Sequence, residues 1–237
     1  MTLANGSIGI LKPGSTYPGM IEQFGDYDAW FRRVLEPAGV DCRAYAFSDG
    51  QAPDPSAADG WIVTGARSSV LDESPLVDGL LEWIRAVVDK GAPLLGVCYG
   101  HQAIAAALGG RVELHPGGWE LGTVEVALTE RGREDPLFTG FPDRFQVQAT
   151  HEDYVVELPP GGVSLASNAH TAIQALAVGE SCRGIQFHTE VTTEISRDFV
   201  ARRGHLVNPV PVVTDAPLAT RVLTNFVEQF VRARVRS

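Results

Sequence analysis

The sequence predicts an α/β fold built on an open, mostly parallel twisted sheet, with helices on both faces and a small antiparallel extension. Two observations support this prediction. In the first 110 residues, short apolar segments alternate with segments whose apolar residues recur at helical spacing. After residue 110, short apolar segments follow one another with no helical pattern between them. Alternation of the first kind is typical of parallel strands covered by helices, whereas strands in direct succession pair antiparallel.

The first half of the chain contains four predicted strands and three predicted helices, the third of which follows Cys98. The strands cover residues 7–11, 40–47, 61–64 and 93–97. Asp26 is a suitable N-cap for a helix that runs to Leu35, and Ser74 with Pro75 forms a typical helix start. Gly91 is expected to end that second helix. The predicted sheet is therefore of the open, flavodoxin-like kind.

The second half contains six further predicted strands and one last helix. The strands cover residues 112–114, 122–128, 145–149, 163–167, 173–178 and 184–187, and the helix covers residues 217–235. Residues 48–59 are expected to form a surface loop. Residues 197–214 show no clear pattern and are interpreted as a mobile flap or a contact surface. No boundary between domains is evident, so residues 1–237 are predicted to form a single domain.

Composition narrows the classes of partner and compartment. The formal net charge is −10, which argues against nucleic acid as a partner because neutralising phosphates requires a basic surface. The three cysteines are widely spaced, without a Cys-x-x-Cys pair, so we expect neither a disulfide framework nor a zinc site. The N-terminus lacks a signal-peptide pattern, and no apolar run reaches 18 residues. We therefore expect a cytoplasmic protein that does not bind membranes.

The segment around which the chain is organised covers residues 92–110. Its centre is Gly96-x-Cys98-x-Gly100, which follows an apolar strand and precedes an alanine-rich helix. Small residues on both sides of Cys98 allow a sharp turn that keeps the thiol uncovered, as in a nucleophile elbow. The positive end of the helix dipole favours the thiolate form of a cysteine at this position. The alternative is that Cys98 is a small core residue, as most free cysteines are.

A thiolate nucleophile needs a base, and the base needs a group that holds its tautomer. Among six histidines, His188 is the best candidate because it ends a predicted buried strand and Glu190 follows two residues later. Residues two apart in an extended chain point to the same side, so Glu190 could reach one ring nitrogen of His188 while the other faces Cys98. A surface ion pair is the alternative for an isolated His-x-Glu pattern.

The motifs GVCYGHQ and QFHTE, in this order, resemble those of the class I glutamine amidotransferases. The resemblance covers nearly the whole chain up to Glu190 and implies a glutaminase domain with a Cys-His-Glu triad on an open α/β sheet. It implies that Cys98 is the nucleophile, that His188 is the general acid and base, and that Glu190 orients His188. Thr189 departs from the family, since most relatives have proline at this position. Without proline, the backbone between His188 and Glu190 is expected to be less rigid.

Acyl transfer also needs donors for the developing oxyanion. The backbone N–H of Tyr99, directly after the nucleophile, is placed for this role. The resemblance implies that the second donor comes from the loop that contains Gly65 and Ala66. A tight strand-to-helix connection would also explain this loop.

The resemblance further implies contacts to the α-amino and α-carboxylate groups of glutamine. Gln102 matches a family position that contacts these groups, and the stretch His151-Glu152-Asp153 matches a loop that does the same through its backbone. Arg67 could serve a carboxylate or a longer acceptor. For the acidic residues of the stretch, a solvated loop remains the alternative. His101 is expected to be structural, and His115, His170 and His205 are expected in surface or loop positions.

Three functions remain open at this point. The first is a glutaminase that feeds ammonia to a separate synthase subunit. The second is a stand-alone hydrolase or transferase that acts on γ-glutamyl peptides or amines with the same triad. The third is a non-catalytic binding module. The first is favoured, with glutamine or a γ-glutamyl small molecule as substrate, and no metal or organic cofactor is implied because no ligand cluster has suitable spacing.

Overall fold

The computed structural model describes residues 6–236. Its strands, in chain order, are β1 (Ser7–Lys12), β2 (Asp41–Ala46), β3 (Gly60–Val63), β4 (Leu94–Val97), β5 (Arg111–Leu114), β6 (Glu120–Leu128), β7 (Arg144–His151), β8 (Asp153–Glu157), β9 (Gly162–Ser167), β10 (Ala175–Val178) and β11 (Cys182–Ile185). Its α-helices are α1 (Pro18–Phe24), α2 (Tyr27–Leu35), α3 (Pro75–Asp89), α4 (Tyr99–Ala107), α5 (Glu130–Glu134), α6 (Thr193–Arg203), α7 (Arg221–Phe226) and α8 (Arg232–Arg236).

Nine strands form one sheet in the order β2-β1-β3-β4-β11-β10-β9-β6-β7, and β5 pairs with β8 in a small second sheet. The first five strands of this order are parallel, and the remaining four continue the sheet antiparallel. The predicted fold class is therefore confirmed, with an antiparallel part that forms the continuation of the main sheet.

The first part of the chain folds as its local signals indicate. Asp26 caps α2, accepting a hydrogen bond from the N–H of Tyr27, and Ser74 caps α3 through the N–H of Val77. Gly91 adopts a φ of 62°, a left-handed conformation that suits glycine at a helix end.

Several boundaries and elements differ from prediction. The strand expected at 40–47 is Asp41–Ala46, and the one expected at 184–187 is Cys182–Ile185, so the strand ends three residues before His188. The short helix α1, the strand β8 and the helix α6 were not predicted. The single helix expected at 217–235 is instead a succession of a 3-10 turn, α7, a π-helical turn at Val227–Val231 and α8.

The central strands β3 and β4 bury both faces. In β3, Ile62 packs in the core that includes residues of α2 and α7, whereas Trp61 and Val63 face the core formed with α3 and α4. This alternation follows from the period of two in a strand, and burial of both faces explains why β3 and β4 are apolar throughout.

Strand register decides which loops meet. In the parallel pair β4 and β11, Val97 is paired with Ile185. Parallel strands end at the same edge of a sheet, so Cys98, one residue after Val97, and His188, three residues after Ile185, are delivered to the same place. Among residues 6–236, no helix combines the length and the apolarity needed to cross a membrane.

Candidate active site

Cys98 lies at a sharp turn between β4 and α4. Its φ of 53° and ψ of −104° make it the only non-glycine residue with positive φ among residues 6–236. Its backbone N–H donates to the carbonyl of Ile185 at 2.8 Å, which ties the turn to β11. A non-glycine residue in such a conformation costs about 1–3 kcal/mol, and such strain is concentrated at functional sites. The turn predicted from the flanking glycines is therefore present.

The two glycines that flank Cys98 are required by close backbone contacts. A Cβ atom on Gly96 would lie 2.3 Å from the carbonyl oxygen of Gly100. A Cβ atom on Gly100 would lie 2.2 Å from the carbonyl oxygen of Val63 in β3. Both distances are far below van der Waals contact with backbone, so neither position can hold a side chain unless the strand and the helix move apart.

Replacing Gly100 with alanine is therefore expected to destabilise the protein, although it lies in the first turn of a helix, where alanine normally stabilises. We expect a loss of about 1–3 kcal/mol in the free energy of unfolding, typical of overpacking. Gly79, within α3, is the matched control, because its nearest neighbour would be Phe47 Cζ at 3.8 Å. Gly79→Ala should stabilise by about 0.5–1 kcal/mol. Denaturant titration of both variants measures these changes in the free energy of unfolding. Changes of the same sign in the two variants would contradict the packing argument.

His188 and Glu190 form the second part of the site. The Nδ1 atom of His188 lies 2.7 Å from Oε1 of Glu190, and both side chains are buried. The backbone N–H of His188 donates to the carbonyl of Gln148 at 2.8 Å, which anchors this segment to β7. The predicted pairing of Glu190 with one ring nitrogen is thus present, although the segment lies beyond the end of β11.

Thr189, which departs from the family's proline, contributes a donor of its own. Its backbone N–H donates to Oε2 of Glu190 at 2.9 Å. Proline has no N–H and could not make this bond. One oxygen of the Glu190 carboxylate therefore contacts the His188 ring, and the other accepts from the Thr189 backbone. These two contacts compensate for the rigidity that is lost with proline.

The other ring nitrogen of His188, Nε2, is buried and has no hydrogen-bond partner of normal geometry within residues 6–236. The Cys98 sulfur lies close enough to the ring to interact with it. Burial alone would lower the pKa of His188, but the charge of Glu190, followed by the charge of Cys98, outweighs burial and raises it. The ring therefore favours the imidazolium form, which suits a general acid that faces the Cys98 sulfur.

The loop after β3 lies against this pair. A Cβ atom on Gly65 would lie 3.2 Å from Cε1 of His188, so the loop backbone approaches the imidazole closely. Ala66 and Tyr99 both line the pocket that contains Cys98. The two predicted sources of oxyanion donors, the start of α4 and the loop after β3, therefore both lie at the pocket that contains Cys98.

The pocket has a volume of about 190 Å³ and is lined by both polar and apolar groups. Cys98 itself is only 6% exposed, so the thiol is less open than the sequence suggests and is reached through this pocket. The lining residues are Ala66, Arg67, Ser68, Ser69, Cys98, Tyr99, Gln102, Leu114, Trp119, Thr150, His151, Glu152, Asp153 and Arg203.

All four predicted substrate-binding residues line this pocket, but two of them already have protein partners. The side-chain NH₂ of Gln102 donates to the Asp153 carbonyl at 2.8 Å and to Oε1 of Gln186 at 3.2 Å. The ring of His151 is paired at both nitrogens, with Oε2 of Glu120 at 2.8 Å and with the Asp153 carbonyl at 3.1 Å. Gln102 thus retains its carbonyl oxygen for a ligand, and His151 retains its backbone.

The side chains of the other two predicted substrate-binding residues, Glu152 and Arg67, have fewer protein partners. Glu152 lies between β7 and β8, so the stretch interpreted as a loop is a tight connection between two strands. Arg67 is exposed, and its guanidinium lies 4.3 Å from the centre of the Tyr17 ring. Asp153 accepts a short hydrogen bond from the hydroxyl of Ser69, which ties the loop after β3 to the start of β8.

A buried polar network behind His151 was not predicted. Glu120, at the start of β6, accepts hydrogen bonds from Asn168 at 2.5 Å and from Gln174 at 2.6 Å, besides its contact with His151. Burial would raise the pKa of Glu120, but the hydrogen bond and charge of His151, followed by the hydrogen bond from Asn168, lower it. The network fixes the ring of His151 and hence the backbone at the pocket wall. Its members come from separate segments, and no local pattern identifies them.

The remaining histidines agree with the sequence in part. His101 is fully buried beneath the turn, and burial lowers its pKa to about 3, so it is a neutral structural residue as expected. His115 and His170 are half-buried and stacked, with ring centres 3.8 Å apart, and are not simple surface residues. His205 is exposed. Within residues 6–236, no group of three or more His, Cys, Asp or Glu side chains is arranged to hold a metal ion.

Comparison with known proteins agrees with this geometry. The family model "Glutamine amidotransferase class-I" matches residues 20–205. A GMP synthase [glutamine-hydrolyzing] from Caldicellulosiruptor saccharolyticus is 34% identical over 183 residues, which cover 74% of this chain and 33% of that protein. The chain thus spans about a third of the length of this relative. One subunit of a GMP synthase [glutamine-hydrolyzing] from Methanoculleus marisnigri is 36% identical over 138 residues, covering 57% of this chain and 71% of its own.

Solved structures show the same fold. A glutamine amidotransferase from Thermotoga maritima has a TM-score of 0.75 at 18% identity and covers 95% of this chain and 98% of its own. A glutamine amido transferase from Methylobacillus flagellatus has a TM-score of 0.72 at 21% identity, with 97% and 94% covered. The extent of the family match, together with the fold, shows that the chain belongs to the class-I glutamine amidotransferase family.

Proposed function

We propose that this protein hydrolyses the side-chain amide of glutamine, or of a γ-glutamyl compound, through a thioester on Cys98. The observation that carries the proposal is the arrangement of Cys98 at a strained turn, facing a buried His188 that is paired with Glu190 at 2.7 Å. Nucleophile, base and orienting carboxylate in this order form the arrangement that acyl transfer requires.

In the proposed reaction, the Cys98 thiolate attacks the γ-carbonyl carbon, and His188 gives its proton to the leaving nitrogen. Ammonia or an amine departs, and a γ-glutamyl thioester remains. His188 then takes a proton from water as the water attacks the thioester, which releases glutamate and regenerates the thiolate. The charge on Glu190 stabilises the imidazolium in each half of the cycle.

The oxyanion of both tetrahedral intermediates would be stabilised by backbone N–H groups. Tyr99, directly after the nucleophile, supplies one donor, and the loop of Gly65 and Ala66 supplies the other. Loss of one such donor costs about 2.7–4 kcal/mol in a protease where it was measured. The closeness of Gly65 to the His188 ring supports this assignment, because it puts the loop at the reacting centre.

Contacts to the rest of the substrate follow from which groups of the lining are available. The carbonyl oxygen of Gln102 and the carboxylate of Glu152 suit the α-ammonium group. The backbone beside His151 is held in place by the Glu120 network and can pair with either α-group. Arg67, exposed near the mouth, suits a carboxylate or a longer acceptor.

The relatives suggest a recipient for the ammonia. Two of them are named as glutamine-hydrolysing GMP synthases, and one of these is named as a single subunit of such an enzyme. We therefore propose that a separate synthase chain receives the ammonia from this protein, and that the protein works in the cytoplasm. The free state of Cys42, Cys98 and Cys182 supports a reducing compartment.

A substrate panel tests the proposal. Purified protein is incubated with L-glutamine and, separately, with γ-glutamyl dipeptides, and glutamate release is followed. Release from glutamine with stoichiometric ammonia is the expected result. Turnover of dipeptides with none of glutamine would instead establish the γ-glutamyl hydrolase. Absence of turnover of either, together with a Cys98 that reacts with thiol reagents no faster than a free thiol, would contradict catalysis and leave a binding module.

A further inference from the structure

An arginine outside the family motif lies in the wall of the Cys98 pocket. Arg203 is the last residue of α6, and its guanidinium lies 4.3 Å from the centre of the Trp119 ring and 5.4 Å from that of Tyr17. Its Nη1 donates to the Thr150 hydroxyl at 2.7 Å, and its Nε to the Tyr17 hydroxyl at 3.2 Å. The side chain is therefore held in one position by stacking and hydrogen bonds to neutral groups.

Arg203 lacks the usual partner of a half-buried arginine. Among residues 6–236, no carboxylate lies within 4 Å of its guanidinium, whereas its neighbour Arg202 is paired with Asp198 at 2.5 Å. The chain has a formal net charge of −10, so carboxylates are abundant. A guanidinium has five N–H donors in a planar fork that matches a carboxylate, and the two hydrogen bonds leave part of that fork available.

The geometry points to Arg203 as the residue that binds a carboxylate of the substrate, an inference that rests on the proposed function of the pocket. Glutamine and γ-glutamyl compounds all carry an α-carboxylate, and γ-glutamyl amino acids carry a second one beyond the scissile amide. Stacking on Trp119 and Tyr17 holds the cation in place before the substrate arrives, which lowers the entropy lost on binding.

A binding experiment separates the two carboxylates without requiring turnover. In a Cys98→Ala background, Kd is measured by calorimetry for L-glutamine, 4-aminobutanamide (which lacks the α-carboxylate), γ-glutamylglycine and γ-glutamylethylamide. Each compound is titrated into the background protein and into the same protein with Arg203→Gln, Arg203→Lys or Arg202→Gln. Arg202 is the matched control because it is adjacent, also stacks on Tyr17 and does not line the pocket.

If Arg203 binds the α-carboxylate, Arg203→Gln should raise the Kd of the three compounds that carry this group by a similar factor. The factor should be on the order of 10- to 100-fold, as expected for lost hydrogen bonds to a charged group. The affinity for 4-aminobutanamide should stay unchanged. If Arg203 binds the second carboxylate, only the binding of γ-glutamylglycine should be weakened. Arg203→Lys should restore part of the affinity, and Arg202→Gln should leave all four unchanged.

If all four compounds bind more weakly by the same factor, Arg203 is a structural residue and the inference is overturned. Unchanged affinity for all three compounds that carry a carboxylate would also overturn it. Steady-state kinetics with the Cys98-containing protein give the second readout. Because this contact is remote from the reacting amide, Arg203→Gln should raise KM and leave kcat nearly unchanged. Failure of the protein to hydrolyse any amide would contradict the proposed function, whereas the selective loss of binding would still establish the carboxylate contact.

Discussion

Replacing Cys98 with alanine is expected to lower glutamine hydrolysis by about four orders of magnitude or more, with the fold intact. Alanine removes the sulfur that forms the thioester, and loss of a nucleophile in a comparable triad removes nearly all the catalysis that the triad supplies. Glutamate release measures the rate, and circular dichroism with thermal unfolding measures the fold. The side chain is small, so the packing around the turn changes little.

Cys42→Ala is the matched control for this experiment. Cys42 lies in β2, away from the pocket lining, and burial raises its pKa to about 11, which keeps it in the unreactive thiol form. Its replacement should leave the rate within about twofold. A Cys98→Ala protein that retains the rate of its Cys42→Ala counterpart would contradict the assignment of the nucleophile.

Replacing Glu190 with glutamine is expected to lower kcat by about 10⁴-fold, the loss seen when the carboxylate of a protease triad becomes an amide. Glutamine is close in size but offers one acceptor oxygen to two donors, the ring Nδ1–H of His188 and the N–H of Thr189. One of these buried donors loses its partner, and the imidazolium loses the charge that stabilises it.

The pH profile gives the same variant a second readout. In the wild type, the charge of Glu190 raises the pKa of His188 against the opposite effect of burial. Without that charge the imidazolium loses its proton at lower pH. The basic limb of the kcat profile, where the general acid is lost, should therefore move to lower pH in Glu190→Gln. Because His188 and Cys98 interact, the apparent pKa of this limb describes the two groups together and not His188 alone.

Glu194→Gln is the control, because it removes an exposed carboxylate of α6 outside the Cys98 pocket. It should leave both the rate and the position of the basic limb close to those of the wild type. A Glu190→Gln variant whose basic limb coincides with that of Glu194→Gln would contradict the electrostatic role of Glu190.

The features that could be predicted from sequence are those set by local chemistry. The Gly96-x-Cys98-x-Gly100 turn is forced by backbone contacts that only glycine allows, so three residues are sufficient to specify it. The His188–Glu190 pairing depends on residues two apart in the chain and is equally local. Their meeting with Cys98 follows from the parallel pairing of β4 with β11, which no single segment of the sequence shows.

The features that were not predicted depend on partners far apart in sequence. Whether the His151 ring is free or committed is decided by Glu120, 31 residues away. Arg203 was missed because α6 buries only Ile195, Ser196 and Phe199, which is too few apolar residues to give a clear helical period. Without that helix, its last residue could not be placed near Trp119 and Tyr17.

The central step of the proposed mechanism is the reaction of the Cys98 sulfur at the γ-carbon of a bound glutamine. A chloroketone analogue of glutamine tests it most directly, since this reagent alkylates a thiolate held beside the γ-position. Peptide mapping by mass spectrometry should find one adduct, on Cys98, formed more slowly when glutamine is present and in Glu190→Gln. Modification of Cys42 or Cys182 at the same rate, or labelling of Cys98 that glutamine does not slow, would contradict the account.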